Sequence, residues 1–390
     1  MTDRVRAFYE AHPYPPGDVP DCDAYQGRLL LSYIERQHPV SASLKILEAG
    51  CGRGINLTQM AGAFPGDRFT GIDINRVAIR EAAARVEHLG YTNLEFVEGD
   101  LLHSEGIPSV AGGYDVILSY GVLHHLSDPR QGLIRLTQHL APEGVIGFMV
   151  DGRFGRQPLD RYREALDLID PQGDPGIARS LARVAEQGIF RATPWQGTSE
   201  VDPVEFADRC LHVHETSFDI QGLWALLASA DLRFIRWIEP RDWCVDGLSD
   251  DPDLDARLNA LGEQSRYQVI ERLAQRPKLT LVASRRERIS RRELTRDSLS
   301  TAYLAANPQL SRSPDQGWRV RKGAWEPGLG HTQVRLLEHL AGVSRPVSAM
   351  VLIGQLTEWQ LSRDQATDLL LTMQKQELLY CPQINEADRP

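Results

Sequence analysis

The sequence of 390 residues is short of the features that staple, anchor or export a chain. Its five cysteines, Cys22, Cys51, Cys210, Cys244 and Cys381, form no C-x-x-C pair and no metal-ligand spacing, which argues against a disulfide framework and for a reducing compartment. No apolar run approaches the ~18 residues needed to span a bilayer. With no signal-peptide pattern either, we expect neither secretion nor membrane insertion, and a cytoplasmic location. Positive charge is in deficit, with 43 Lys and Arg against 53 Asp and Glu and a net charge of -10. That balance argues against a general nucleic-acid binder. No repeat recurs at a fixed period. What remains is ordinary globular composition, 42% hydrophobic and 25% charged, in a chain long enough for two or three domains of ~150 residues.

The densest pattern is KILEAGCGRG, Lys45 to Gly54. Ile46 and Leu47 continue a short apolar run, and Glu48, Gly50, Gly52 and Gly54 fall at every second position. This spacing predicts a buried strand that ends in a glycine turn and opens a helix. Glycine there allows a sharp turn and a close approach to a ligand. FTGIDI, Phe69 to Ile74, reads as a second strand ending in Asp73, an acid suitably spaced for ribose hydroxyls. A helical stretch, Val77 to Leu89, precedes LEFVEGDL, a third strand ending at Asp100. YDVILSYGVLHHL, Tyr114 to Leu126, reads as a fourth strand running into a loop. The predicted order is β-α-β-α-β-α-β, a parallel sheet whose loops converge at the carboxyl ends of the strands.

Glu48-Ala-Gly-Cys-Gly-Arg-Gly54, Gly71-Ile-Asp73, Glu98-Gly-Asp100 and Leu123-His124-His125 together resemble the ordered motifs of class I S-adenosylmethionine-dependent methyltransferases, over roughly residues 44 to 150. A nicotinamide dehydrogenase is the rival, but its glycines usually run G-x-G-x-x-G, whereas residues 50 to 55 read G-C-G-R-G-I. The resemblance implies an α/β Rossmann-like fold with a seven-stranded doubly wound sheet, and S-adenosylmethionine as cofactor. It implies that Gly50, Cys51 and Gly52 lie under the methionine portion and ribose, with the Cys51 side chain a small buried filler. Asp73, followed by Ile74, would take both ribose hydroxyls. Asp100 would accept from the adenine amino group and Leu101 would pack on the ring. Glu48 would orient the loop or the methionine ammonium, and Tyr120 would close the pocket near the methyl.

Methyl transfer from a sulfonium is an in-line displacement in which positioning supplies much of the catalysis. A base is needed only if the nucleophile keeps its proton at neutral pH. Tyr120, His124 and His125 are the titratable groups of the loop bordering the methyl, although paired histidines also serve structurally there. The N-terminal VRAFYEAH followed by Pro13-Tyr14-Pro15-Pro16 reads as a short helix stopped by prolines, either a packed arm or a flap closing over the site. Tyr14, Tyr120 and His124 are therefore the catalytic candidates. Four histidines, His124, His125, His212 and His214, could meet in space but lack ligand spacing, and no metal is expected.

Leu29 to Gln37 is predicted as a leading helix, Leu133 to Leu140 as a helix, Ala141-Pro-Glu-Gly144 as a turn, and Val145 to Val150 as the fifth strand. Residues 151–217 are too long for a plain loop and read as a helical lid insertion (Leu159 to Ile169, Ile177 to Gln187) that offers Arg153, Arg156, Trp195, His212 and His214 to a substrate. Gln221 to Ala230 and Leu232 to Ile238 supply a helix and the sixth strand, Leu254 to Ala274 a helical excursion, and Leu279 to Ser284 the seventh strand. Cys210-Leu-His-Val-His214, Trp224 to Trp237 and Ser265 to Leu273 are loosely similar to cyanobacterial methyltransferases of the phycobiliprotein asparagine type. Such amide methyltransferases often carry Asn-Pro-Pro-Tyr after the fourth strand, where this chain has Tyr120-Gly-Val-Leu123.

The expected organisation is an arm and leading helix over 1–40 and a methyltransferase domain over 41–287. A linker over 288–316, carrying a run of arginines from Arg285 to Arg296, leads to a winged-helix-like α-rich module over 317–390. That module is read from three amphipathic helices (Thr332 to Leu340, Ala349 to Leu356, Arg363 to Gln376) and a strand, Leu378 to Pro382. Asp364 and Asp368 on its third helix favour protein contact over DNA reading. The expected function is methyl transfer from S-adenosylmethionine to a protein or peptide side chain, asparagine amide being one such acceptor. The alternatives are a small-molecule methyltransferase and a non-catalytic protein that senses the cofactor.

Overall fold

Residues of KILEA are buried on both faces, as a strand inside a parallel sheet requires, and they form β1 (Lys45–Ala49). The computed structural model describes residues 2–17, 30–32, 34, 43–103, 106–243, 251–285, 294–307, 310–313, 317–320, 329–343, 345–376 and 378–381. Alongside β1 stand β2 (Arg68–Asp73), β3 (Leu94–Glu98), β4 (Tyr114–Tyr120), β5 (Leu140–Asp151), β6 (Leu232–Trp237) and β7 (Lys278–Arg285). They form one sheet in the order β3-β2-β1-β4-β5-β7-β6. The first five are parallel, with Leu47 opposite Thr70 on one side and Ile117 on the other. β7 inserts antiparallel between β5 and β6, so the sheet is mixed rather than wholly parallel.

The reversal of order at β1 and β4 is what opens a crevice at the carboxyl ends of these two strands. Helices Ile55–Ala63 and Arg76–Leu89 pack on β2 and β3. On one face of the sheet, Leu47, Ile72, Ile117, Phe148 and Leu281 share a core with helices Pro129–Gln138, Ile220–Ser229 and Glu263–Ala274. An aromatic nest closes its far edge, where Trp237 stacks on Trp243 at 3.9 Å and Tyr267 stands edge-on to both. Such pairs add ~0.5–1.5 kcal/mol each beyond the area they bury.

Four local expectations are corrected. Among the described residues no helix joins β3 to β4, because Gly106, Pro108, Gly112 and Gly113 break any periodicity there. The helix expected at Leu133 to Leu140 begins earlier, at Pro129, with Asp128 as its cap, and ends at Gln138. Ala141 to Gly144, expected as a turn, belongs to β5, which absorbs it through a register shift opposite Tyr114 and Val116. The excursion at 254–274 is two helices, Pro252–Asn259 and Glu263–Ala274.

The insertion after β5 builds its own small core. Helices Arg153–Ile169 and Pro175–Glu186 match the two expected helical stretches, and a third, Pro203–Cys210, was not anticipated. Leu159, Tyr162, Ala182, Phe190, Trp195 and Phe206 pack together beneath them. Trp195, a candidate substrate contact, instead donates its indole N–H to Gly155 O at 2.8 Å and is buried in this core.

The chain divides into two compact units, Met1–Pro20 with Lys45–Arg288, and Asp21–Leu44 with Ile289–Pro390. The leading helix expected at Leu29 to Gln37 is helical at residues 30–32, and most of it lies outside the described residues. In the second unit the segment read as a linker holds a short helix, Arg296–Leu299, and two strands, β8 (Tyr303–Ala306) and β9 (Leu310–Ser313). β9 pairs antiparallel with β10 (Gly317–Val320). β8 lies between β11 (Val347–Ser348) and β12 (Leu379–Tyr380) in an antiparallel sheet. Helices His331–Ala341, Ala349–Glu358 and Arg363–Lys375 cover it around Leu304, Leu336, Leu352, Leu356 and Leu370. Asp364 and Asp368 of the third helix are both engaged by Arg296. Most of the arginine run, Arg286 to Arg292, lies outside the described residues. No described helix is long and apolar enough to cross a membrane.

One glycine tests the fold directly. Gly54 opens the helix Ile55–Ala63 at φ 66°, and a Cβ there would stand 2.3 Å from Phe96 Cζ and 2.9 Å from Ala82 Cβ. A left-handed conformation costs a non-glycine residue ~1–3 kcal/mol, and the overlap adds to it. Gly54→Ala should therefore lower stability by ~2 kcal/mol or more, read as a lower urea midpoint at unchanged slope.

Candidate active site

Two carboxylates define the crevice at the ends of β1 and β2. Asp73 closes β2, and its Oδ2 accepts the Gly52 N–H at 2.8 Å while Oδ1 accepts the Asn75 N–H at 2.8 Å. Each oxygen keeps a further acceptor site, so the group can still take two hydroxyls. Gly50 and Cys51 both donate their N–H to Ile72 O, locking the glycine turn against β2. The Cys51 thiol is buried and pushed well above its ordinary pKa by desolvation and then by Asp73, which removes it as a nucleophile. Ile74 is half-buried beside Asp73.

Glu48 points out of the end of β1 into a fully desolvated place. Burial pushes its carboxyl up to about 8, with Asn56 opposing and Asp73 adding to the rise. Its Oε2 is buried without a hydrogen-bond partner. The complement of such an atom is a cation with N–H donors, such as an ammonium group. Asp100, at the end of β3, accepts the Leu102 N–H at 2.8 Å and lies 2.9 Å from His103 Nδ1, while Leu101 is buried next to it. Acidic groups at three strand ends and glycine between them suit a nucleoside bearing an ammonium-containing side chain.

The N-terminal arm runs across this crevice. Its helix Thr2–Ala11 presents Tyr9, whose carbonyl accepts from Asn75 Nδ2 at 2.8 Å and whose hydroxyl donates to Asp208 at 3.0 Å. Tyr14 O lies against the glycine turn, accepting the Arg53 N–H, and a Cβ on Gly52 would approach it to 2.5 Å. The Tyr14 hydroxyl donates to Glu205 at 3.0 Å. The arm therefore ties the glycine turn to the helix Pro203–Cys210 of the insertion.

Beyond Tyr120, half-buried at the end of β4, a one-turn helix Leu123–His125 carries the two loop histidines inward. His124 Nε2 stands 3.5 Å from Asp151 Oδ2, and Asp151 also receives Arg156 at 3.0 Å. Arg156 reaches Glu215 at 2.5 Å, and Arg163 pairs with the same carboxylate. Burial and then the Arg156 charge push His124 well below its usual pKa, and burial does the same to His125, so both rings are neutral. His125 stacks within 3.8 Å of His212 and hydrogen-bonds His214 O. His125, His212 and Glu215 bring their ligand-type atoms within 4.8 Å of one another. Two guanidinium groups already neutralise that carboxylate, which opposes a cation there.

The sequence singled out Tyr14, Tyr120, His124, Arg156, His212 and His214; in the fold Tyr14 reaches Glu205, His124 and Arg156 meet at Asp151, and His212 and His214 meet His125. Arg153, by contrast, reaches Asp219 at 3.6 Å on the surface. Asp151, Arg163, Glu205, Asp208 and Glu215 were missed. Two signals were available. Asp151 ends β5 as Asp73 ends β2, and Arg156, Asp160 and Arg163 recur along one face of a helix at i, i+4 and i+7.

Glu48 carries a pH signature. Its folded pKa lies above the unfolded value of 4.5, so the folded protein holds a proton that the unfolded chain gives up between 4.5 and about 8. Stability from this group is thus present at low pH and lost as pH rises through about 8. Without cofactor, Glu48→Gln should come closest to the wild type below pH 4.5 and melt higher than it at pH 8.5, by ~2 °C or more. Thermal scans at the two pH values check the divergence.

Known proteins resemble this chain. A methyltransferase domain family matches residues 47–146. A malonyl-[acyl-carrier protein] O-methyltransferase of Bacillus cytotoxicus is 31% identical over 208 residues, covering 52% of this chain and 69% of that protein. An uncharacterized protein of Synechococcus sp. is 29% identical over 294 residues, 70% of this chain and 69% of its own. The solved structure of PKMT2 from Rickettsia typhi, in complex with AdoHcy, superposes on 95% of this chain and 77% of its own with a TM-score of 0.69 at 17% identity. The carboxylates at three strand ends, the glycine turn and these likenesses agree, and the chain belongs to the class I S-adenosylmethionine-dependent methyltransferases.

Proposed function

We propose that the chain transfers the methyl group of S-adenosylmethionine to a side chain of a protein or peptide, in the cytoplasm. The observation that carries this reading is the extent of the fold likeness. It covers 95% of the chain, the second unit included, and the protein it matches is named PKMT2. A folded unit outside the cofactor domain suits an acceptor too large for one pocket, and we read it as a winged-helix-like module for protein contact. Buried free thiols at Cys51, Cys210 and Cys381 are consistent with a reducing compartment.

The bound cofactor supplies an electrophilic methyl on a sulfonium. In this reading Asp73 takes the ribose hydroxyls, Glu48 the ammonium, and Asp100 with Leu101 the adenine, while Gly50, Cys51 and Gly52 form the floor. Tyr120 and His124 border the methyl, and the arm with Tyr14 excludes water. Positioning then does the catalysis, since near-attack alignment in such a displacement is worth as much as ~7–11 kcal/mol. A smaller acceptor is the second reading. It is favoured by the Bacillus cytotoxicus relative, whose similarity confines itself to 52% of this chain and whose name specifies O-methylation of a malonyl group.

Two variants test the assignments. Asp73→Ala removes charge-assisted hydrogen bonds worth ~1.5–3 kcal/mol each, so calorimetry should find S-adenosylhomocysteine bound at least ~10-fold more weakly. Unchanged affinity would place the ribose elsewhere. Tyr14→Phe deletes the hydroxyl that holds Glu205 and leaves the ring. Melting should shift by no more than ~2 °C. Turnover should fall ~10-fold, because the arm no longer closes onto the insertion. Full activity in Tyr14→Phe would reduce the arm to packing.

A further inference from the structure

The outer side of the insertion leaves a group of aliphatic side chains in water. Of the thirteen large hydrophobic residues exposed among the described ones, five fall within 168–189. They are Leu168 at 88% exposure, Ile169 at 61%, Val184 at 65%, and Ile177 and Ile189. Aliphatic residues exposed singly are ordinary, whereas five gathered on one helix pair mark a surface that something covers. In the helix Pro175–Glu186 the inward face is Ala178, Ala182 and Ala185, which pack with Tyr162 and Leu166 of the preceding helix. Ile177, the half-buried Leu181 and Val184 recur at i, i+4 and i+7. At 3.6 residues per turn they form a second stripe, about a quarter turn away from the alanines. The helix has more apolar surface than its own core uses.

The charges beside the stripe decide what covers it. Toward the turn between the two helices stand Glu164, Asp167, Asp170 and Asp174, with no basic residue over 164–178. Over 179–191 stand Arg179, Arg183 and Arg191, with Glu186 as the one acid. Arg179 is turned to Ser199 O and Val201 O, and Glu186 accepts from Ser199. That leaves Arg183 and Arg191 outward, with Glu200 coming to 3.9 Å from Arg183 and offsetting part of the charge. On the preceding helix Asp160 and Arg161 are of opposite sign, and Arg156 and Arg163 are held in the buried ionic chain. Even with Glu200 counted, the exposed charges run from negative at one end of the stripe to positive at the other. Such a stripe, centred between Ser180 and Leu181, is complementary to itself after a half-turn. A methyl acceptor would carry the matching order by coincidence, whereas a second copy carries it by symmetry.

We propose that two copies of this chain pair antiparallel through Ile177, Leu181 and Val184, about a two-fold axis beside Ser180. Ile177 of one copy meets Val184 of the other, and the acids near the helix turn of each meet Arg183 and Arg191 of its mate. The apolar centre and charged rim follow the build of a protein interface. The stripe is small beside the ~800 Å² per partner of a standard interface, which sets the pairing in the micromolar range. The inference holds for either size of methyl acceptor.

Sedimentation velocity of the full chain from ~1 to ~100 µM tests it across the expected range. The mass should rise toward twice 43.7 kDa, and a single 43.7 kDa species at the highest concentration overturns the proposal. Val184→Glu sets an acid against the acids of the other copy and faces water in the free chain. It should stay monomeric throughout, with an unchanged melting temperature and unchanged affinity for S-adenosylhomocysteine. A Val184→Glu protein that still pairs moves the interface elsewhere and overturns the assignment. Ser180→Cys puts a thiol beside the axis, and a short bismaleimide should join two copies beyond the wild-type level, where Cys51, Cys210 and Cys381 are buried. No gain over the wild type overturns the antiparallel setting. A monomeric chain whose Ser180→Cys variant cross-links to its methyl acceptor gives the stripe to the acceptor, and the proposal falls.

Discussion

The bond from the Gly52 N–H to Asp73 Oδ2 is the constraint on which the site depends. It joins the turn after β1 to the end of β2, and it holds a desolvated carboxylate whose pKa burial raises and whose backbone donors pull it back down. Because Gly52 is at φ 51° with Tyr14 O against it, the same turn also seats the N-terminal arm. Asn75 adds a second tie, giving its N–H to Asp73 and its side-chain amide to Tyr9 O. Crevice and arm are therefore one hydrogen-bonded assembly rather than two neighbouring features.

Around the insertion the controlling interaction is ionic. Asp151, Arg156, Glu215 and Arg163 form a buried chain that joins the end of β5 to the helix Arg153–Ile169 and the segment after Cys210. Removing one member of such a chain typically costs ~3–5 kcal/mol, because the partner is left charged and unsolvated. The chain also fixes the chemistry available nearby. It keeps Glu215 ionised, while burial above all holds His124 and His125 neutral, so the loop histidines are poor carriers of a proton.

Local patterns were legible wherever one element's own residues determine it. KILEA and YDVILSY read as buried strands, and the acids at 73 and 100 fall at strand ends, because a parallel strand buried on both faces must be apolar and must stop at a turn. YLAA, Tyr303 to Ala306, shows where this fails. Four residues among serines and threonines look like linker, yet they form the middle strand of a sheet because two partners far away in sequence supply its hydrogen bonds. The antiparallel setting of β7 is of the same kind, since pairing direction leaves no mark on the strand's own sequence.

The sequence by itself determined the local make-up of the crevice: glycine where the backbone must turn with positive φ, carboxylates at strand ends, and the order of both along the chain. Those are requirements of single positions, and each residue type declares them. The tertiary structure alone decided the buried ionic cluster. Arg163, His212 and Glu215 come together only when the helix Arg153–Ile169 and the segment at 212–215 are packed together, 49 positions apart between Arg163 and His212. Burial then sets which of these groups is charged, and burial is a property of the packed fold that no single stretch of sequence contains.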